Sequence, residues 1–214
     1  MTDLTKPVVH HFKNYEHQHE STKLGMWVFL ATELLFFGGL FLGYLVYRAS
    51  YPEAFVEASN HLIVWLGTLN TFLLLTSSLG VAWAVHDVRT HRPRRAALML
   101  VAVVVLGLIF LGIKGYEWFL EYEEGLIPGI NFTYSGPLAH GVGLFYAQYF
   151  VMTGLHAIHM IIGIFVMAIM AWRSWRGHFT PTDFDPIELT ALYWHFVDIV
   201  WIFLFPLLYL IGRT

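Results

Sequence analysis

Hydrophobic residues form five long runs along this chain, separated by short polar segments. A bilayer core about 30 Å thick requires about 20 apolar residues in a helix, and each run meets that requirement. The pattern therefore predicts an all-α bundle of five transmembrane helices at residues 25–214, preceded by a polar tail at residues 1–24. The predicted spans are residues 25–47, 61–85, 96–119, 138–172 and 189–211.

The composition also favours a membrane protein. Of the 214 residues, 57% are hydrophobic and 13% are charged, whereas average soluble domains carry about 25% charged residues. A soluble core of this size cannot enclose so much apolar surface, so the surplus should face lipid. The net charge of −3 and the lack of a basic stripe argue against nucleic-acid binding. Because there is no cysteine, disulfides and thiolate metal sites are excluded.

The lysines and arginines predict the orientation of the bundle. The tail and the second and fourth connections share one side of the membrane and carry nine of these residues, whereas the other side carries only Arg48 and Arg213. By the positive-inside rule, the N-terminus is cytoplasmic and the C-terminus is outside. The nine residues are Lys6, Lys13, Lys23, Arg89, Arg92, Arg94, Arg95, Arg173 and Arg176.

Five ionisable side chains inside the spans are the candidate functional residues, because charges in a membrane are costly. They are Glu33, His156, His159, His195 and Asp198. Glu33 lies about 12 Å from the inner end of the first span, and helical spacing places the other four in two same-face pairs. We expect all five to meet in the cytoplasmic half of the bundle.

Three interpretations of these buried groups are open from the residues alone. They could form a proton-exchanging or lipid-head-group site, because burial disfavours the charged form of a carboxyl group. They could instead make interhelical hydrogen bonds that fix helix order. A bis-histidine haem site would pair His156 or His159 with His195. We expect no catalytic residue, cofactor site or metal site in this chain.

Polar residues near the outer end of the third span form a second candidate region. Lys114 is expected to pair with Glu117 or to extend its ammonium group to the interface. The acids there predict a solvated rim, or alternatively a docking site for a c-type cytochrome; they are Glu117, Glu121, Glu123 and Glu124. Gly39 and Gly43 on the first span, and Gly163 on the fourth, predict close helix packing.

Each span also contains a string that resembles cytochrome c oxidase subunit III, in the order found in that family. The strings are GMWVFLATELLFFGGLF, LNTFLLLTSSLGVAWA, GIKGYEWFLEY, YFVMTGLHAIHMIIG and ALYWHFVDIVWIFLFPLLYL. The resemblance covers nearly the whole chain beyond the tail. Many members have seven spans, and this chain resembles the shorter five-helix bacterial form.

The resemblance implies an accessory subunit of a proton-pumping haem-copper oxidase in a bacterial cell membrane. Haem and copper would lie in partner subunits I and II, and a c-type cytochrome would donate electrons to the complex. This chain would pack against subunit I, stabilise it, support proton uptake and hold structural phospholipid. The family's buried acid corresponds to Glu33, its paired histidines to His156 and His159, its last-helix pair to His195 and Asp198, and its third-span acid to Glu117.

Other functions consistent with the sequence use different partners. A quinol oxidase or nitric oxide reductase would employ a closely related accessory chain. A stand-alone proton-coupled transporter using Glu33 and Asp198 is less consistent, because such proteins usually show inverted repeats or broken helices.

Overall fold

The structure, a computed structural model, describes residues 15–179 and 184–212, and within these ranges the regular structure is entirely helical. The six helices are α1 (Tyr15–Ser50), α2 (Pro52–His61), α3 (Val64–Arg89), α4 (Pro93–Glu123), α5 (Ala139–Trp175) and α6 (Asp185–Tyr209). All except α2 are long and apolar enough to cross a membrane. The prediction of an all-α, five-span bundle is therefore confirmed.

Each predicted span overlaps one of the long helices, but the chain ahead of the first span is partly helical as well. Residues 15–24, assigned from sequence to the polar tail, form the first turns of α1. Lys6, Lys13 and Arg213, which enter the orientation argument, lie outside the described residues.

The short helix α2 was not predicted. It begins with Pro52, whose fixed φ angle suits the first position of a helix. Its ten residues are too few to cross a bilayer, so a search for spans overlooks it. Its small and aromatic side, with Ala54, Phe55 and Ala58, is buried against α5, the neighbour with which it makes most contact.

Because the connections between the spans are short, helices that are neighbours in sequence are expected to pack together. Helices α3 to α6 do so and form a four-helix core. The same expectation was wrong for the first two spans. Within the described chain α1 contacts α2, α5 and α6 rather than α3, because α2 carries the backbone across the bundle before α3 begins. Helix α1 therefore lies at the edge of the bundle and is the least buried of the five long helices.

We call the end of the bundle that carries α2 and loop 124–138 the loop end, and the opposite end the tail end. At the loop end, carbonyl groups in the last turn of α6 accept hydrogen bonds from side chains of other helices. Ser59 of α2 donates to the Leu208 carbonyl at 2.8 Å, and the Tyr44 hydroxyl of α1 donates to the Leu207 carbonyl. At the tail end, Glu188 of α6 forms ion pairs with Lys23 of α1 and Arg89 of α3.

Loop 124–138 is held together by its own hydrogen bonds. The Thr133 amide donates to the Gly125 carbonyl at 2.8 Å, and the Asn131 side-chain amide donates to the Tyr122 carbonyl at 2.5 Å. These bonds fold the loop back over the end of α4.

The glycines predicted to mediate close packing have different roles. A Cβ atom added at Gly39 would have no neighbour within 4 Å, and one added at Gly43 would meet only the Gln148 side chain at 3.8 Å. These two glycines are therefore not in close contact with another helix in the described chain, and they line a groove between α1 and α5. Gly163 does pack closely, because a Cβ there would lie 2.9 Å from the ring of Trp194.

Candidate functional site

Glu33 and His159 are in direct contact between α1 and α5. The Glu33 Oε2 atom lies 3.1 Å from His159 Nε2. The other ring nitrogen, Nδ1, donates to the Leu155 carbonyl at 2.8 Å, since a carbonyl can only accept. With the hydrogen of neutral His159 on Nδ1, Nε2 can accept a proton from Glu33. One proton can therefore be shared between the carboxyl group and the imidazole.

The Glu33–His159 pair lies at the edge of the bundle rather than in its core. The two side chains are 21% and 14% exposed in the isolated chain, so the pair is accessible to lipid or to a neighbouring subunit. The ring of Phe37 packs edge-on against His159, with centroids 5.2 Å apart. The Tyr193 hydroxyl donates to the His159 carbonyl at 3.1 Å and fixes this turn of α5 to α6.

His156 has a separate environment, although it lies only one helical turn from His159. It is 1% exposed, and its Nε2 atom donates to the Val197 carbonyl of α6 at 3.1 Å. The rings of Phe110 and Trp201 lie against it. This histidine therefore makes an interhelical hydrogen bond in an aromatic core.

His195 and Asp198 lie at the interface between α6 and α3. The His195 Nδ1 atom is 2.7 Å from the Ser78 hydroxyl. Asp198, one turn further along α6, is 3% exposed and also lies beside Ser78. The sequence did not single out Ser78, although a buried histidine and acid on one face require a polar partner opposite them.

Two tryptophans of α6 add further hydrogen bonds to this interface with α3. The Trp194 indole N–H donates to the Ser77 hydroxyl at 3.0 Å, and the Trp201 indole N–H donates to the Thr71 hydroxyl at 3.1 Å. The structure thus brings Glu33 and His159 together and gives His156 and His195 other hydrogen-bond partners, whereas the carboxyl oxygens of Asp198 have none among the described residues. Of the five groups expected to meet in the cytoplasmic half of the bundle, Glu33 and His159 are the two in direct contact within the described chain.

Lys114 is fully buried near the loop end and is the centre of a polar cluster. Its ammonium group donates to Glu117 Oε2 at 3.0 Å, to the Tyr149 hydroxyl at 2.8 Å and to the Tyr209 hydroxyl at 2.6 Å. The Tyr209 hydroxyl in turn donates to Glu117 Oε1 at 2.6 Å. The predicted Lys114–Glu117 pair is confirmed, and the ammonium group does not extend to the interface.

The predicted acidic rim was wrong for two of its four members. Glu117 and Glu121 are 1% and 6% exposed, because α4 turns that face towards α5 and α6, whereas Glu123 and Glu124 are exposed. Sequence reasoning also missed Tyr149 and Tyr209. A lysine in an apolar span needs buried partners, and tyrosines in the neighbouring spans were the signal that could have identified them.

The three histidines differ in how many of their ring nitrogens are bonded, and His156 Nδ1 has no hydrogen-bond partner among the described residues. Both nitrogens of His159 are bonded, and His156 and His195 each use one nitrogen on a different helix. In the part of the chain that the structure describes, no three histidine or acidic side chains are grouped to hold a metal ion.

Comparison with known proteins gives a consistent family. The family model described as cytochrome c oxidase subunit III matches residues 8–213. "Cytochrome c oxidase subunit 3" of Thermostichus vulcanus is 32% identical over 202 residues, which cover 94% of this chain and 92% of the relative. The protein of the same name from Marchantia polymorpha is 34% identical over 194 residues, covering 87% and 67%.

A relative whose name gives a different electron donor is nearly as similar to this chain as these two proteins are. "Probable quinol oxidase subunit 3" of Staphylococcus saprophyticus is 30% identical over 199 residues, which cover 92% of each chain. The match of the family model extends across all five long helices and includes the Glu33–His159 pair and the polar cluster around Lys114. The chain therefore belongs to the cytochrome c oxidase subunit III family of haem-copper oxidase subunits, which are components of membrane-bound oxidoreductase complexes.

Proposed function

We propose that this chain is a non-catalytic subunit that stabilises subunit I of its oxidase and supports proton uptake on the tail-end side. Subunits I and II would carry the haem and copper and reduce dioxygen to water. The observation that carries the proton-uptake role is the contact between Glu33 and His159. This pair can hold one proton in two positions at the exposed edge of the bundle.

The position of the pair supports exchange with a partner rather than internal packing alone. Glu33 lies near the middle of the apolar segment Glu20–Ser50, where an ionised carboxylate would be costly. His159 provides the polar partner that offsets this cost, and the partial exposure of both groups leaves room for a subunit, a lipid or water. A purely structural bond would be expected deeper in the bundle, as observed for His156.

The first experiment tests assembly. The chain is tagged, membranes are solubilised mildly, and native gel separation is combined with visible spectra and oxygen consumption. The tag should migrate in a large band that contains haem and consumes oxygen. A small colourless band, with oxidase activity elsewhere in the gel, would contradict the proposed partnership and direct attention to the transporter alternative.

The second experiment tests Glu33 within the assembled complex. Glu33→Gln keeps the shape of the side chain and removes the exchangeable proton, and Glu20→Gln serves as a matched control at the exposed start of α1. We expect Glu33→Gln to assemble, take up protons several-fold more slowly and inactivate sooner during turnover. Parental behaviour in all three measurements would reject the protonic role, and loss of assembly would favour a structural bond.

The electron donor is tested with the same purified complex. Relatives named for cytochrome c and for quinol oxidases have similar identities to this chain, so the donor is assayed directly. We expect oxygen consumption with reduced c-type cytochrome. Activity with quinol alone would assign the complex to the quinol oxidases without changing the role of this subunit.

The proposed orientation, with the tail end in the cytoplasm of a bacterial cell, is tested by cysteine labelling. The chain contains no cysteine, so Thr90→Cys at the tail end and Ile130→Cys at the loop end provide unique thiols. A membrane-impermeant maleimide applied to intact cells should label position 130 and leave position 90 unmodified. The reverse pattern would invert the assignment.

Structural phospholipid is proposed in the apolar groove between α1 and α6. Trp27, Leu34 and Phe203 line this groove, and His195 is the one ionisable group among the described residues that line it. An acyl chain would fit such a surface, with the head group towards one end. Ala31→Phe would fill the groove, and lipid extracted from the purified complex should then fall relative to the parent. Unchanged lipid content would place the lipid elsewhere.

A further inference from the structure

The buried polar cluster near the loop end has two layers, and the first is held together by direct hydrogen bonds centred on Lys114. In the first layer, an ammonium group has three N–H donors, and Lys114 uses all three on Glu117, Tyr149 and Tyr209. No donor of Lys114 remains for any other group. This layer contains one positive and one negative charge, and the hydroxyl hydrogen of Tyr149, which accepts from Lys114, remains available to a neighbour.

The second layer contains Glu121 and Tyr146, one helical turn nearer the loop end. Glu121 follows Glu117 by four residues on α4, and Tyr146 precedes Tyr149 by three on α5, so both face the same interior. Their exposures are 6% and 1%. Among the described residues, neither the carboxyl oxygens of Glu121 nor the Tyr146 hydroxyl has a hydrogen-bond partner.

The charges around Glu121 determine whether its carboxyl group can be buried as the neutral acid or as the carboxylate. The titratable neighbours of this layer are Lys114, Glu117 and Glu124 on α4, Tyr146 and Tyr149 on α5, Tyr209 on α6, and Tyr134 in the loop. Lys114 and Glu117 neutralise each other, and the phenols are uncharged at neutral pH. An ionised Glu121 would add a negative charge that Lys114 does not balance, with the neutral Tyr149 hydroxyl beside it. Such a charge is strongly unfavourable in a buried site.

We propose that Glu121 is a proton-binding site, in which the neutral carboxyl group and the Tyr146 hydroxyl are bridged by water that exchanges with the surface beside loop 124–138. Buried polar atoms without protein partners are typically bonded to internal water. In the exchange step, the Glu121 proton passes to the bridging water and then to solvent near Glu124, leaving a carboxylate. The reverse transfer restores the neutral acid. This inference concerns a different site from Glu33 and does not depend on the proposed oxidase role.

Infrared spectroscopy of the complex that co-purifies with this chain tests the proposal without any activity readout. The parent-minus-variant spectrum for Glu121→Gln should contain a C=O stretch of a protonated carboxylic acid. That band should move to lower frequency after transfer of the parent to D₂O. Glu124→Gln, at a neighbouring exposed acid, should leave the band in place.

A second variant tests the role of the Tyr146 hydroxyl in the water bridge without disturbing the packing of the helices. Tyr146→Phe keeps the ring packing and removes the hydroxyl, so the carboxyl band should shift in frequency and its exchange with D₂O should become slower. The proposal would be overturned if the parent-minus-Glu121→Gln spectrum contained carboxylate bands in place of the acid band. Such bands would indicate that a bound cation or a partner's basic group balances an ionised Glu121. If Glu121→Gln does not fold, the Tyr146→Phe variant tests the proposal by itself. An infrared spectrum whose carboxyl region is the same as that of the parent would then overturn the proposal.

Discussion

Gly163 of α5 lies directly against the indole ring of Trp194 of α6. A Cβ atom on this glycine would lie 2.9 Å from the Cε3 and Cζ3 atoms of that ring. From the other side, a Cβ on Gly107 of α4 would lie 3.0 Å from its Cη2 atom. Trp194 is thus held between two glycines, and three helices can approach closely because both positions lack a side chain.

Gly163→Ala should therefore destabilise the bundle. Crowding of a well-packed interior typically costs about 1–3 kcal/mol, because the rigid indole cannot move without displacing α6. The measurement is the apparent free energy of unfolding of the purified chain in mixed detergent micelles. Gly154→Ala on the same helix meets nothing within 4 Å and should be neutral or slightly stabilising. Equal effects of the two variants would show that the Trp194 contact is not close.

Ser77→Ala should be destabilising for a different reason. The Trp194 indole N–H donates to the Ser77 hydroxyl at 3.0 Å, and loss of the acceptor leaves a buried donor unpaired. A loss of about 1 kcal/mol is expected, with a blue shift in the fluorescence contribution of Trp194 as its hydrogen bond disappears. Thr76→Val is the matched control, because Thr76 is exposed and bonds only within its own helix.

The long helices and several of their polar pairs could be predicted from the sequence because each depends on local information. A span needs only length and apolarity, and Lys114 and Glu117 are three residues apart on one helix. By contrast, the contact of α1 with α5 depends on where α2 directs the chain, and the sequence of the spans carries no sign of that path. The Glu33–His159 pair joins positions 126 residues apart, so periodicity could propose both residues but not their contact.

The acidic residues near the loop end also show what the sequence alone could not predict. The sequence groups Glu117, Glu121, Glu123 and Glu124 within eight positions, which resembles a solvated rim. Only the packing of α4 against α5 and α6 separates two buried acids from two exposed ones. Conversely, the structure shows why Lys114 tolerates burial, since two tyrosines from other helices complete its hydrogen bonds.

Lys114→Met should be among the most destabilising single substitutions in this chain. Removing one member of a buried ion pair typically costs about 3–5 kcal/mol, because the remaining charge is left without a partner. Here Glu117 would lose its counter-charge and the two tyrosines would lose a donor. The yield of folded chain and its free energy of unfolding are the measurements.

The double variant Lys114→Met/Glu117→Gln tests whether the uncompensated charge causes that loss. It should recover a large part of the stability, because the buried negative charge of Glu117 is removed together with its partner. If the double variant is as unstable as the sum of the two single variants, the ion pair is not the source of the effect. Packing of the lysine methylene groups would then be the better explanation.

Gly125→Ala should disrupt loop 124–138, whereas Gly129→Ala should have a smaller effect. Both glycines have positive φ angles, +68° and +81°, and an L-residue in that region costs roughly 1–2 kcal/mol. Only Gly125 adds a clash, because its Cβ would overlap Thr133 Oγ1, whereas Gly129 faces open space. Limited proteolysis of the loop should therefore be much faster in Gly125→Ala. Adding Thr133→Ala removes the nearest clashing atom and should restore part of the resistance, and no restoration would assign the whole effect to backbone strain.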